Sequence, residues 1–486
     1  MSRKLQCRAV PSSWLENNGR RLDCGPYMSG AIEAKELLKR IKTESLSSLS
    51  SGYNGGIYNG PQFVRNYVDD PAYGVPFLTT STMLQADMTN LPMISAKDAH
   101  SAKLSYLKVE EGMTLITCSG SIGRMAYARK DMADCWSNQD IMKVVADPNK
   151  ISPGYLYAYL SSRFGVPIVI SGTYGAIIQH IEAHHISDLP VPRLGNIEDK
   201  AHQLVQKAAD LRYEAISQVV VATSEYVAAA GLNDISPIEW HKKSGKLGFA
   251  AALPNSNSLR AVNFIPLNKE LESYVKTAKR WAYIGDLTKP GTLRTGPRFK
   301  RIDSAPDPEF GVELLGQRDC FTIRPDGRWI AKKHLPKDEL MFLPEGSTMI
   351  AARGGLDDSN SFARCQFIAG KRTQYAYSQH FLRAIPEQDK IRPGCLFAFL
   401  RSEMAFRMLR GYSIGSIQQE YHPDMVKWMP IPLVDQKTAS RVNELVVDAY
   451  RKYDKAIDCE DQAQFLIECA IEEGGRASST LEENKR

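Results

Sequence analysis

The sequence predicts an α+β protein in which one small domain of twisted sheet and helix is built twice. Long helices that pair as an antiparallel coiled coil separate the two copies. Three observations predict this. At a single offset of 240 residues, ISPGYLYAYLSSRFGV (151–166) falls on IRPGCLFAFLRSEMAF (391–406) without a gap. Each copy carries a short apolar strand running into a Gly-rich loop, in EEGMTLITCSGSIGRMAYA (110–128) and PEGSTMIAARGG (344–355). Each copy then leaves through a Pro-x-Pro exit, LPVPRL (189–194) and MPIPLV (429–434), into a long stretch with apolar residues at helical spacing.

The match extends on both sides of the shared helix. Gln139 falls on Gln379, Pro153-Gly154 on Pro393-Gly394, and Leu156, Ala158, Leu160 and Ser162 on Leu396, Ala398, Leu400 and Ser402. Further on, Gly175, Ile177 and Gln179 match Gly415, Ile417 and Gln419, and Pro190 and Pro192 match Pro430 and Pro432. A period this long means a duplicated domain, not a solenoid.

In chain order, 31–42 (AIEAKELLKRIK) has the spacing of a helix, and the Ser/Gly-rich stretch 45–60 breaks regularity. Its counterpart is 267–281 followed by GDLTKPGTLRTG. The copies open alike, with Gly60-Pro61, Phe63 and Arg65 against Gly296-Pro297, Phe299 and Arg301, then Tyr73-Gly74-Val75 against Phe310-Gly311-Val312. Segments 153–164 and 393–404 start with Pro-Gly, which suits a helix N-terminus. After the first exit, Ile197, Ala201, Leu204, Ala208, Leu211, Ala215 and Val219 step by four and three. After the second, Ala439, Val442, Val446, Ala449, Tyr453 and Ala456 do the same, resuming at Ala463, Leu466 and Ala470. That spacing is a coiled-coil seam, with packing of each helix on its own domain as the alternative. The expected divisions are a segment and helix over 1–44, the first repeated domain over 45–195, and a helix over 196–232. A linker and helix follow over 233–280, then the second domain over 281–434, a helix over 435–473 and a disordered tail over 474–486.

The chain has 61 basic and 55 acidic residues, a net charge of +6 that permits nucleic-acid binding without demanding it. The 9 cysteines form no CxxC pair and fit a reducing compartment. With no long apolar run and no signal-peptide pattern, the expectation is a cytoplasmic protein without a membrane span.

Few motifs point to catalysis. Asp70-Pro71-Ala72-Tyr73 is close to the acidic-Pro-Pro-aromatic motif of amino-methyltransferases, and Asp307-Pro308-Glu309-Phe310 is a looser version. No strand and Gly-rich loop that would hold a nucleoside cofactor accompanies either, and both sit at equivalent places in the repeat, as a shared turn would. Glu33-Ala34-Lys35 lacks the acidic partner of a nuclease motif, and His184-His185 lacks the further ligands of a metal site. Gly120-Ser121-Ile122-Gly123 could cradle a phosphate or simply turn the chain. Neither catalytic nor metal-ligating residues are assigned.

Binding is the better reading. The first copy carries Ser119, Ser121, Arg124, Tyr174, Gln179 and His180 in its Gly-rich loops. The second carries Arg294, Arg298, Lys300, Arg301, Arg353, Asn360, Arg364, Lys371, Arg372, Gln418 and Gln419. Arginine reads guanine bidentately, Gln and Asn read adenine, and Lys and Arg neutralise phosphates. The skeleton is shared while these loop residues differ, as two modules reading different sequences require.

The pieces resemble the specificity subunit of type I restriction–modification systems. The family pattern is a Gly, a short apolar strand, a G-[ST]-[IV]-G loop, a polar-Gln, a P-x-[YL]-L-x-x-x-L-x-S helix, a Gly-rich polar loop and an [IL]-P-[IVL]-P exit. It is met here by Gly112, Leu115-Ile116, Gly120–Gly123, Asn138-Gln139, Pro153–Ser162, Gly172–Gln179 and Leu189–Pro192, and Arg21-Leu22-Asp23 resembles the family's opening R-[IL]-D. The exits depart from the usual Glu-Gln, with Asn196-Ile197-Glu198 and Asp435-Gln436, and Arg353-Gly354-Gly355-Leu356-Asp357 replaces the second G-S-I-G loop, which marks a divergent branch.

The resemblance implies two target-recognition domains, each binding half of a split double-stranded DNA sequence for phage defence. It implies a chain that holds no cofactor and positions two methyltransferase subunits, which use S-adenosylmethionine; it also admits translocase–nuclease subunits. A helix of about 33 residues spans roughly 50 Å, against about 34–36 Å between half-sites one DNA turn apart. The competing readings are a self-contained methyltransferase or nuclease with duplicated binding domains, and a scaffold that binds protein or RNA.

Overall fold

The computed structural model describes residues 7–17, 20, 22, 24–171, 180–243, 248–251 and 258–483. The opening Arg21 and Asp23 of the family pattern, and residues 172–179 of the first Gly-rich polar loop, lie outside them. The chain divides into two compact units. Met1–Leu84, Leu91–Tyr213 and Ala456–Arg486 form the first, and Gln85–Asn90 and Glu214–Lys455 form the second.

In the first unit the predicted strand Thr114–Thr117 lies in an antiparallel sheet ordered Ile57–Tyr58, Ile141–Val144, Thr114–Thr117, Met125–Tyr127. A second sheet pairs Gly74–Leu78 antiparallel with Met93–Ser95 and parallel with the short strand Trp136–Ser137. The second unit repeats both. Thr348–Ala351 lies between Cys365–Phe367 and Phe381–Ala384, and Gly311–Leu315 pairs antiparallel with Arg328–Ala331 and parallel with Ala376–Tyr377. The Pro-x-Pro exits are strands in two-stranded ladders, Pro190–Pro192 on Thr43–Ser45 and Pro430–Pro432 on Trp281–Tyr283. Proline lacks the N–H a central strand needs, so it is tolerated in such a ladder.

The helices Pro153–Leu160 and Pro393–Arg401 begin at the predicted Pro-Gly pairs. Glycine follows proline because the helix start lies against a long helix. A Cβ on Gly154 would come 2.7 Å from His202 Nδ1, and one on Gly394 would come 2.7 Å from the Asn443 Cα. The same residues satisfy the free helix N–H groups: Gly154 N donates to His202 Nδ1 (3.2 Å) and Gly394 N to Asn443 Oδ1 (2.9 Å).

The long helices are Asn196–Ala229 and Gln436–Glu483, and each contributes to both units. In the first unit Ala208 packs with Ala456 and Cys459, and Arg212 is paired with Glu460. In the second, Gln218 donates to Asp448 (2.9 Å) and Arg441 pairs with Glu225 (2.7 Å). In the second unit, where Lys452 also pairs with Glu214 (2.8 Å), rising numbers on one helix meet falling numbers on the other, so these segments pair antiparallel. The helices also pack on their own domains, Ala201 and Val205 sharing a core with Tyr155 and Leu156 and Val442 and Val446 one with Leu396 and Phe397, while Ala463 and Ile467 of the second helix join the first unit's core.

Two expectations for the C-terminal helix are corrected. After Ala456 the buried stripe runs through Cys459, Glu460, Ala463, Ile467 and Ile471, not through Leu466 and Ala470. A charged residue occupies the seam, and the four-residue steps that follow shift the stripe by one position. The expected tail is helical from Gly474 to Glu483. The Gly474-Gly475 pair is a site of close packing and not a stop signal, because a Cβ on Gly475 would come 2.2 Å from Leu37 Cδ1 of the helix Ala31–Leu38.

Candidate nucleic-acid interface

In both repeats the Gly-rich loop after the apolar strand is bridged to a residue of the segment that leads to the Pro-x-Pro exit. In the first unit Ser119 forms an antiparallel bridge with His180, and Ile181 N donates to Cys118 O at 3.1 Å. Thr117 shapes the loop between them. Its hydroxyl donates to Ser121 O (2.6 Å) and accepts from Arg124 N (3.0 Å), leaving Ser121 exposed and Arg124 half-buried. Tyr174 and Gln179 lie outside the described residues.

The second unit makes the same junction by bridging Gly354 to Gln419. Here the loop closes on a hairpin of Ser413–Gly415 and Gln419–Tyr421, whose tip exposes Ile417 and Gln418. Arg353 crosses to the hairpin, pairing with Glu420 and donating to Gln418 Oε1 at 3.4 Å. Gln317, which the sequence reading missed, anchors the Arg353 backbone. Its side chain donates to Arg353 O (2.6 Å) and accepts from Arg353 N (3.1 Å). His380 was missed as well. Burial lowers its pKa, and the charges of Arg353, Arg301 and Arg298 lower it further against an opposing Glu420. The charges of three candidate arginines therefore act on one imidazole, with exposed Lys300 next to Arg301 in sequence.

The other candidates divide by what faces them. Asn360 is exposed in the loop that replaces the G-S-I-G turn. Arg294 is held by both carboxylate oxygens of Asp338 at 3.1 Å, and Lys371 N donates to Asp454 (2.9 Å). Three candidates are corrected to structural roles. Arg372 is buried at 2 % exposure, 3.5 Å from Asp454 and over the Tyr450 ring. Gln419 is buried, its Oε1 accepting from Arg260 and from the Ser413 hydroxyl at 3.0 Å each, which locks the hairpin. Arg364 stacks 3.6 Å over the Phe406 ring, with Glu403 at 4.0 Å.

Arg364 belongs to a cluster that pins the loop 353–364. Asp358 accepts from Arg407 (2.6 Å), Arg410 (3.2 Å) and His241 (2.8 Å), and Arg410 also donates to Asp357 O (2.7 Å). Burial alone would raise the Asp358 carboxyl, but hydrogen bonds from Arg407 and His241 and the arginine charges take it down to about 2. This cluster holds the loop in place of the tight Gly120–Gly123 turn of the first repeat.

Below the loops, each unit buries a cation at the same repeat position. Lys143 is fully buried, donates to Ser137 Oγ, and is pushed down to about 7 by burial. Arg383, its counterpart, donates to the carbonyls of Leu340, Phe381, Tyr377 and Ser378. Among the described residues, no group of three or more His, Cys, Asp or Glu could hold a metal ion, and no helix is long and apolar enough to cross a membrane.

No family model and no curated protein matches the chain. Solved structures do. The S subunit of a type I restriction–modification system from M. genitalium aligns at 12 % identity and a TM-score of 0.30, over 89 % of this chain and 95 % of that one. The HsdS subunit from Thermoanaerobacter tengcongensis aligns at 12 % and 0.25, over 90 % and 97 %. A structure concerned with complex assembly and conformational transition of the type I R-M system aligns at 10 % and 0.25, over 88 % and 97 %.

Proposed function

We propose that this chain is the DNA sequence-recognition subunit of a type I restriction–modification complex of the cytoplasm, from a divergent branch of that family. Each repeat reads one half of a bipartite duplex target, and the chain positions two methyltransferase subunits, with room for nuclease subunits. One observation carries this reading. The same backbone junction ties the first Gly-rich loop to the segment leading to the exit in both repeats, Ser119 to His180 and Gly354 to Gln419, while the side chains it presents differ. A common frame with unlike polar edges suits two readers of unlike sequences.

In the second repeat the reading edge is Arg298, Lys300, Arg301, Arg353, Asn360 and Gln418, and in the first it is Ser119, Ser121, Arg124 and His180. The chain itself performs no chemistry; S-adenosylmethionine binds the partner subunits. Duplexes selected from a randomised pool by the purified chain test the reading, together with methyl transfer from labelled S-adenosylmethionine. The expected result is a split target with an unread spacer, and methylation only when a partner is added. Methyl transfer by the isolated chain would establish the self-contained enzyme instead, and no preference for duplex DNA would establish a scaffold for RNA or protein.

A further inference from the structure

The Asp-Pro-x-aromatic segments take no part in the loops described above, yet the structure builds both around the same aspartate side-chain bond to the backbone two residues on, with the aspartate carbonyl closing the turn one residue later in the second unit. In the first unit Ala72 N donates to Asp70 Oδ1 (3.0 Å) and Tyr73 N to Asp70 O (3.0 Å). In the second, Glu309 N donates to Asp307 Oδ1 (2.9 Å) and Gly311 N to Asp307 O (2.8 Å). The aromatic residue is then fixed from the neighbouring strand, with Ala96 N donating to Tyr73 O (2.8 Å) and Lys332 N to Phe310 O (2.9 Å). A rigid turn therefore holds each ring, and each ring faces solvent: Tyr73 is 71 % exposed and Phe310 62 %. Packing does not require an aromatic side chain at either place.

The surroundings are alike as well. Asp69 and Asp70 precede Tyr73 in its segment, and Asp307 and Glu309 precede Phe310. An exposed lysine follows the strand that fixes each ring, Lys97 in one unit and Lys333 in the other. Carboxylates beside the ring repel a phosphate backbone, whereas a rigid aromatic with a rim of mixed charge is how protein surfaces anchor one another. What differs between the repeats suits unlike DNA half-sites; what is both exposed and shared suits one partner met twice. We infer that Tyr73 and Phe310 are equivalent docking knobs, each seating in an apolar pocket, rimmed by basic and acidic side chains, on one of two identical partner protein subunits. Naming that partner as the methyltransferase rests on the function proposed above; the docking itself does not.

The test uses the full chain in the complex purified from its own cells, with Tyr73→Ala, Phe310→Ala and the double variant. Native mass spectrometry counts the copies of the co-purifying subunit, and thermal melting of each free chain confirms an unchanged fold. The expected counts are two in the parent, one in each single variant and none in the double variant, while Tyr73→Phe keeps two. Two copies retained in the double variant, or a parent complex that holds no subunit in two copies, overturns the docking. A doubled subunit that transfers no methyl group from S-adenosylmethionine overturns the proposed function and leaves the docking standing.

Discussion

Arg212 and Glu460 form a two-pronged ion pair in the seam between the long helices, with only 3 % and 2 % of their side chains exposed and the second contact at 2.8 Å. Removing one member leaves the other charged, buried and uncompensated, which costs about 3–5 kcal/mol, whereas replacing both with apolar groups is often neutral. Arg212→Met is therefore expected to be severely destabilising and Arg212→Met with Glu460→Leu close to the parent. Denaturant unfolding of the three proteins checks this. Equal loss in the single and double variants would show that the pair contributes through something other than charge compensation.

Lys143 gives a pH dependence of definite sign. Its folded pKa, about 7, lies below the ordinary value of 10.5, so between those values the unfolded chain binds more protons than the folded one. Stability from this group therefore rises with pH across that window, and below it the full cost of burying the charge is present. Lys143→Met removes the cost, so the variant should gain most at pH 6.5 and least at pH 10. Denaturation midpoints at several pH values check it.

Arg353 and Arg364 separate reading from folding. Arg353→Ala is expected to relax recognition in the second half-site alone, costing about 1–3 kcal/mol if it contacts a base edge. Arg364→Ala should leave the target unchanged and lower the melting temperature instead, because it removes the stack on Phe406. Sequencing of selected duplexes reads the first effect and calorimetry the second.

Both long helices pass from one unit into the other, at Tyr213–Glu214 and Lys455–Ala456. Ion pairs hold the antiparallel register on both sides of those crossings, so an insertion in one helix alone would break it. Four residues inserted at both crossings lengthen each helix by about 6 Å, close to two base pairs at roughly 3.4 Å each. Selected targets should keep both half-sites and gain one or two spacer pairs. An unchanged spacer would show that these helices do not set it.

The frame was legible in the sequence because it is periodic or repeated: the paired strands, the Pro-Gly helix starts, the exits and most of the seam. The parts that were not legible depend on distant neighbours. Gln418 and Gln419 are adjacent and alike in sequence, but the hairpin turns one outward and Arg260 claims the other. Arg364 and Arg372 read as surface cations until Phe406 and Asp454 are seen facing them. Trp136–Ser137 and Ala376–Tyr377 are parallel strands of two residues, too short to show a period. Glu460 broke the seam pattern because its partner lies on the other helix.

The first unit's core takes Ala463, Ile467 and Ile471 from the far end of the chain, and this sets a schedule for synthesis. When Tyr213 has left the ribosome, Ala208 and Leu211, which pack with Ala456 and Cys459, wait for that partner for about 240 further residues, roughly 12–50 s at about 5–20 residues per second. The second unit, whose segments Gln85–Asn90 and Glu214–Lys455 have all emerged before Ala456, can complete itself first. The first unit closes last, when the final helix arrives, so a nascent chain cut short in that helix leaves Ala208 and Leu211 uncovered and open to aggregation.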